Sequence, residues 1–197
     1  MHKKCINAYK SVRFSNSGHA YLCCKSDDIL KDEDGNLCNI EDHTMMDVLN
    51  SKDAIEIRNA LANGIEHPNC VKCWQEESSG LVSKRILDYD QAIKKWGKEY
   101  ADSDIVEPGL LEINLGTLCN LKCRICGPWA SSRWNKEYIQ SQNEQEKENT
   151  RKLLKQWAGE GRYEEESKTW KNIEKILPYV KEIDMYGGEP FMIDQQW

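Results

Sequence analysis

The chain has 197 residues, enough for one or two domains, with a net charge of −6 and 30% charged residues. An acidic chain of this kind has no broad basic surface that would favour nucleic-acid binding. It has no apolar run of about 18 residues that would span a membrane, and its first residues lack the apolar core of a secretory signal. We therefore expect a cytoplasmic protein that binds neither membranes nor nucleic acid.

The cysteines are the most informative residues of the chain. There are nine of them, an odd number, and most lie in short clusters. Thiols stay reduced in the cytoplasm, so clustered cysteines there indicate metal ligands rather than disulfides. Six of them lie in the N-terminal part of the chain: Cys5, Cys23, Cys24, Cys38, Cys70 and Cys73.

A β-hairpin is predicted between the first two of these cysteines. Residues 9–14 and 19–22 have the composition of short strands, and residues 15–18 have that of a turn. The hairpin would bring Cys5 and Cys23 to the same end of the pair of strands. These two thiols would then be available to one shared site.

A second pair of cysteines, Cys70-x2-Cys73, follows an amphipathic helix for which Ser51 is the predicted N-cap. A C-x2-C pair combined with distant cysteines forms a four-thiolate site, which suits either zinc or an iron–sulfur cluster. A polar stretch follows, with a helix predicted over residues 83–96 and a turn at residues 107–109.

The remaining three cysteines follow a predicted strand. Residues 111–115 are apolar in alternation, which predicts a buried strand, and they lead into Cys119-x3-Cys123-x2-Cys126. Three thiolates would hold three irons of a four-iron cluster and leave the fourth iron open. An open metal position is typical of a catalytic site rather than a structural one.

A second strand is predicted at residues 181–186, after helices at residues 128–139, 151–157 and 169–177. A strand–helix–strand connection of this kind places the two strands parallel to each other. The second strand ends at Gly187-Gly188-Glu189-Pro190, where glycines allow close backbone approach and the carboxylate can bind an ammonium group.

The C-x3-C-x2-C motif, with the apolar Ile125 before its third cysteine, resembles the signature of radical S-adenosylmethionine (SAM) enzymes. The Gly-Gly-Glu-Pro segment matches a second motif of that family. The resemblance implies reductive cleavage of SAM, a 5′-deoxyadenosyl radical that abstracts hydrogen, and an electron donor such as flavodoxin or ferredoxin. It also implies the site residues: Cys119, Cys123 and Cys126 for a SAM-binding [4Fe-4S] cluster, and Ile125, Gly187, Gly188 and Glu189 for contacts to the cofactor.

The N-terminal cysteines are similar in spacing to those of the SPASM and twitch domains that accompany radical SAM enzymes. Those domains bind auxiliary [4Fe-4S] clusters. The resemblance implies that Cys5, Cys23, Cys70 and Cys73 are the ligands, with Cys24 as the alternative to Cys23, and by analogy a peptide or protein substrate. SPASM and twitch domains generally follow the barrel, whereas here the cysteine-rich part comes first.

We predict an α/β fold with a mixed α+β N-terminal part. A cysteine-rich twitch/SPASM-like domain spans residues 1–75, a helical linker residues 76–108, and the N-terminal portion of a partial (β/α) barrel residues 109–197. About 88 residues follow Gly109, room for two strands, so we expect a truncated chain or one completed by a partner. The alternative is a non-catalytic metal-binding module with structural zinc or a ferredoxin-like role in electron transfer.

Overall fold

The computed structural model describes residues 4–159, 162, 164 and 166–192. These residues form a mixed α/β fold around one four-stranded sheet, whose strands are β1 Ser11–Phe14, β2 Ala20–Tyr21, β3 Leu110–Asn114 and β4 Glu182–Tyr186. The helices are α1 Asn7–Lys10, α2 Met45–Leu49, α3 Lys52–Ala62, α4 Val71–Ser78, α5 Lys84–Trp96, α6 Lys98–Asp102, α7 Asn135–Ser141, α8 Lys147–Ala158 and α9 Lys168–Ile176. None of the helices in this part of the chain combines the length and the apolar character that crossing a membrane requires.

The sheet has the order β2-β1-β3-β4. Strands β1 and β2 are antiparallel, as the predicted hairpin requires, whereas β3 is parallel to both of its neighbours, β1 and β4. The predicted parallel pairing of β3 and β4 is therefore confirmed. A mixed α/β architecture is also confirmed, while the partial barrel and the domain boundaries stay predictions.

The two faces of β3 are different in character. Leu111, Ile113 and Leu115 belong to the same apolar core as helix α9. Side chains alternate along a strand, so Glu112 lies on the opposite face, where it is fully buried and its carboxylate lies 3.1 Å from the Lys84 ammonium of α5. A buried carboxylate requires such a cation, because an unpaired charge in the interior is strongly destabilising.

Side-chain caps define where most of the predicted helices begin. Ser51, Ser83 and Ser167 each accept a hydrogen bond from a backbone N–H in the first turn of α3, α5 and α9. Thr44 and Asp47 form a reciprocal capping box at α2. Ser51 is the cap that was predicted from the sequence, and the other three caps are found in the structure.

Two predicted elements begin later than expected. The strand predicted from residue 9 begins at Ser11, because residues 7–10 form the short helix α1, from which the buried Lys10 reaches Glu107 at 2.8 Å. The helix predicted from residue 128 begins at Asn135, after a 3-10 turn. Ser131 explains the delay, since its hydroxyl donates to the Leu121 carbonyl at 2.6 Å and holds this segment against the preceding loop.

Candidate metal centres

Four cysteines from separate elements line one cavity in the N-terminal part of the chain. Cys5 precedes α1, Cys23 follows β2, Cys70 ends a 3-10 turn, and Cys73 lies in the first turn of α4. Cys5, Cys23 and Cys73 are buried, and Cys70 is half-buried. The fold thus brings together the four residues that the sequence assigns to the auxiliary cluster.

Hydrogen bonds from Asn69 join two of the segments that carry these thiols. Its side-chain oxygen accepts from the backbone N–H groups of Asp27 and Asp28, at 3.1 Å and 3.0 Å. These residues follow Cys23, and Asn69 directly precedes Cys70. The amide of Asn69 therefore fixes the loop after β2 against the turn that leads into α4.

The cavity thiols are close enough to influence each other electrostatically. Burial raises the pKa of Cys5, and the neighbouring Cys23 and Cys70 raise it further. Burial also raises the pKa of Cys23 to about 11 and that of Cys70 to about 12, where Cys23 and Cys73 add to the effect. These thiols are therefore protonated at neutral pH in the metal-free protein, and a metal that binds them as thiolates displaces protons.

The other two cysteines of this region lie outside the cavity. Cys24 is exposed whereas Cys23 is buried, and Cys38 is completely buried in the apolar core. The donor set of the cavity is therefore four thiols, which fits an iron–sulfur cluster or zinc by its chemistry. The positions of these thiols differ from those of a single-ion site, because in residues 4–159, 162, 164 and 166–192 no three His, Cys, Asp or Glu side chains form a group that could hold one metal ion.

We expect the variants Cys23→Ser and Cys24→Ser to show which of these two neighbouring cysteines is a ligand of the site. Cys23→Ser removes a cavity thiol and should eliminate the iron of that site, whereas Cys24→Ser changes an exposed side chain and should retain it. Iron and acid-labile sulfide per chain after anaerobic reconstitution are the measurement. Loss of iron in Cys24→Ser, with iron retained in Cys23→Ser, would reverse the assignment.

The second cysteine cluster lies in the loop that follows β3. Cys119 and Cys126 are half-buried and Cys123 is exposed. The backbone N–H of Leu121 donates to the Cys119 sulfur at 3.3 Å. Ile125 is 94% exposed, so this apolar side chain is available for contact with a bound molecule.

The Gly-Gly-Glu-Pro segment lies against this cysteine loop, because it follows β4, the parallel neighbour of β3. The Glu189 N–H donates to the Leu118 carbonyl at 2.8 Å, and the Gly188 N–H donates to the Ala130 carbonyl at 2.9 Å. Leu118 precedes Cys119 directly, and Ala130 follows Cys126 by four residues. The segment is therefore hydrogen-bonded to the chain on both sides of the three cysteines.

Both glycines of this segment are required by close contacts with the chain itself. Gly188 has φ +55°, and a Cβ there would lie 2.1 Å from the Leu118 carbonyl oxygen. Gly187 has φ +78°, and its Cβ would lie 1.8 Å from the side-chain oxygen of Asn114. Because these two residues have no side chain, the Glu189 segment can pack against the cysteine loop. This contact was not predicted from the sequence.

Glu189 is half-buried at this position. One of its oxygens accepts from the Phe191 N–H at 3.2 Å. A carboxylate has about four acceptor positions, so Glu189 retains the capacity to bind a cationic group.

Several residues around the four-cysteine cavity were not identified from the sequence. Asn69, Trp74 and three cations line it together with the thiols, and two of the cations, Lys84 and Arg85, belong to the helix predicted only as a linker. A lysine–arginine pair in a charged helix has no local pattern that distinguishes it from a solvated surface. Only the fold brings it to the cavity.

The N-terminal part of the chain has a recognisable family. Residues 5–74 match the family model of SPASM, described as an iron–sulfur cluster-binding domain. Searches of curated proteins and of solved structures found no match to the chain. The matched segment begins at Cys5 and ends one residue after Cys73, so it contains all four cavity thiols. Residues 5–74 of this chain are therefore similar to SPASM iron–sulfur cluster-binding domains.

Proposed function

We propose that this chain is a radical SAM enzyme with an auxiliary iron–sulfur cluster in its SPASM domain. The observation that supports this most directly is the contact between the two motifs outside the SPASM domain. The Gly-Gly-Glu-Pro segment after β4 is hydrogen-bonded to the C-x3-C-x2-C loop after β3. Loops at the carboxyl ends of adjacent parallel strands are where α/β folds place their ligand sites.

The three cysteines of the loop would supply the thiolate ligands of the first cluster. Cys119, Cys123 and Cys126 are free thiols in a loop that contains no regular secondary structure, and all are at least partly accessible. A [4Fe-4S] cluster bound there, with SAM at its open iron, would supply the electron that cleaves SAM into methionine and the 5′-deoxyadenosyl radical for hydrogen abstraction.

The role proposed for Glu189 is to bind the ammonium group of SAM. Gly187 and Gly188 allow the segment to reach the cysteine loop, and the Glu189 N–H donates to Leu118 directly before Cys119. A carboxylate fixed at that position would orient the methionine end of SAM relative to the open iron. Ile125, exposed in the same loop, would add apolar contact.

The proposed ligands of the auxiliary [4Fe-4S] cluster are Cys5, Cys23, Cys70 and Cys73. Their common cavity supports one shared four-thiolate site, and the SPASM match supports an iron–sulfur cluster there over structural zinc. A peptide or protein substrate, and an electron donor such as flavodoxin or ferredoxin, complete the proposal by analogy with SPASM-containing enzymes in the cytoplasm.

The proposal is tested by SAM cleavage in the reconstituted chain. We expect the anaerobically reconstituted protein to release 5′-deoxyadenosine and methionine in equal amounts when a strong reductant is added, and neither product without it. A protein that holds both clusters and leaves SAM intact would favour the electron-transfer module instead.

We expect Glu189→Gln to weaken SAM binding by about 10- to 100-fold, the usual contribution of a hydrogen bond to a charged group. The substitution preserves side-chain size, removes the negative charge and replaces one acceptor oxygen with an NH2 donor. Glu182→Gln is the matched control, because Glu182 begins β4 at the opposite end and pairs with Lys95. The measurement is a SAM titration followed by the EPR signal of the reduced cluster. Equal affinities in the two variants would contradict the role of Glu189.

A further inference from the structure

Three cationic side chains line the four-cysteine cavity: Lys25, Lys84 and Arg85. Among the described residues that form its wall there is no aspartate or glutamate. Lys25 follows Cys23 by two residues, whereas Lys84 and Arg85 lie in the first turn of α5, beyond the end of the SPASM match. The positive charge around the thiols thus comes partly from outside the SPASM domain.

Arg85 is held rigidly at the cavity. It is 6% exposed, its Nε donates to the Glu77 carboxylate at 3.0 Å, and a second guanidinium nitrogen contacts the other carboxylate oxygen. The guanidinium also lies over the ring of Trp74, 4.2 Å from its centroid. A two-point ion pair and a stacked ring fix the direction of the charge.

Lys84 is positioned in a similar way. Its ammonium lies 3.0 Å from Asp88 and 3.1 Å from the buried Glu112 of β3. Burial alone would lower the pKa of Lys84, but Glu112 and Asp88 raise it above its usual range, so the side chain is charged at neutral pH. Neither carboxylate lines the cavity.

Lys25 completes the arrangement. Its ammonium lies 2.6 Å from the Glu76 carboxylate, and Glu76 again does not line the cavity. All three cations therefore line the cavity, whereas none of the carboxylates that pair with them does. Because the cations line the wall and their four carboxylate partners do not, the wall places positive charge next to the thiols, and the carboxylates offset only part of it.

We infer that Lys25, Lys84 and Arg85 form a cationic shell that raises the reduction potential of the cluster held by the four cysteines. The inference rests on the proposed cluster in that site. A cluster with four thiolate ligands is an anion, and reduction makes it more negative, so nearby fixed cations favour the reduced form. Net charge around an iron–sulfur cluster is one of the determinants of its potential.

The test compares Arg85→Met with Arg85→Lys in the full chain. Both variants carry Cys123→Ala as well, so that the EPR signal reports the four-cysteine cluster. In a redox titration, we expect Arg85→Met to lower the ratio of reduced to oxidised cluster at least tenfold at fixed potential, a shift of about 59 mV downward for one electron. Arg85→Lys should retain most of the parent potential because it retains the charge.

A second position keeps the test decisive if Arg85→Met does not fold. Lys25 is partly exposed, so Lys25→Met is expected to fold and to shift the potential in the same direction, while Lys25→Arg should not. Lys168→Met is the control, because that lysine pairs with Asp42 away from the cavity. An unchanged potential in the Met variants, with full iron content, would overturn the inference. Absence of iron from the parent protein would instead show that the proposed cluster is wrong.

Discussion

Cys123→Ala is expected to abolish SAM cleavage and to leave the SPASM-domain cluster intact. Cys123 is the exposed central thiol of the C-x3-C-x2-C loop, so its removal leaves two ligands for the SAM-binding cluster. The four cavity thiols belong to other elements and do not depend on that loop for their positions. The iron content should fall from roughly eight to roughly four atoms per chain, the content of one [4Fe-4S] cluster.

The matched control for this variant is Cys24→Ala, which removes another exposed thiol. It should retain both clusters and SAM cleavage at the parent rate. The measurements are iron and sulfide per chain and the amount of 5′-deoxyadenosine formed under reducing conditions. SAM cleavage that survives in Cys123→Ala would show that the catalytic cluster has been assigned to the wrong cysteines.

Gly188→Ala is expected to reduce SAM cleavage by about 100-fold, the cost of displacing a catalytic group by about 1 Å. The added Cβ would lie 2.1 Å from the Leu118 carbonyl oxygen, which is backbone and cannot rotate away. The Gly-Gly-Glu-Pro segment would therefore move from the cysteine loop, taking Glu189 with it. The positive φ adds about 1–3 kcal/mol of strain to the folded state.

A second glycine, Gly35, provides a control that distinguishes the effect of the steric contact with Leu118 from that of backbone strain. Gly35 has φ +83°, and a Cβ there would meet nothing within 4 Å. Gly35→Ala should consequently show a loss of thermal stability from the backbone alone, with SAM affinity and cleavage unchanged. The measurements are thermal unfolding and a SAM titration of both variants. Unchanged SAM affinity in Gly188→Ala would contradict the proposed function of the segment.

The features that were predicted from the sequence are those encoded by neighbouring residues. The hairpin between Cys5 and Cys23 and the N-cap Ser51 are local patterns, and each is present in the structure. The parallel pairing of β3 and β4 followed from the helical connection between them. The resemblance to SPASM and twitch domains implied a set of four thiols, with Cys24 as the alternative to Cys23, and those four thiols line one cavity.

The features that were not predicted depend on residues far apart in the chain. The parallel pairing of β1 with β3 joins the SPASM domain to the strand before the cysteine loop, and no local pattern indicates which strands pair. Lys84 and Arg85 reach the cavity only because α5 packs beside it. The contact of Gly188 with Leu118 similarly arises from the packing of two loops.

The most direct test of the central claim is an iron count combined with EPR spectroscopy of the anaerobically reconstituted full chain, with and without SAM. The account predicts roughly eight irons per chain and an EPR signal of the reduced protein that changes when SAM is added, as expected for two [4Fe-4S] clusters of which one has an open iron. Roughly four irons with no response to SAM, or zinc in place of iron, would contradict it.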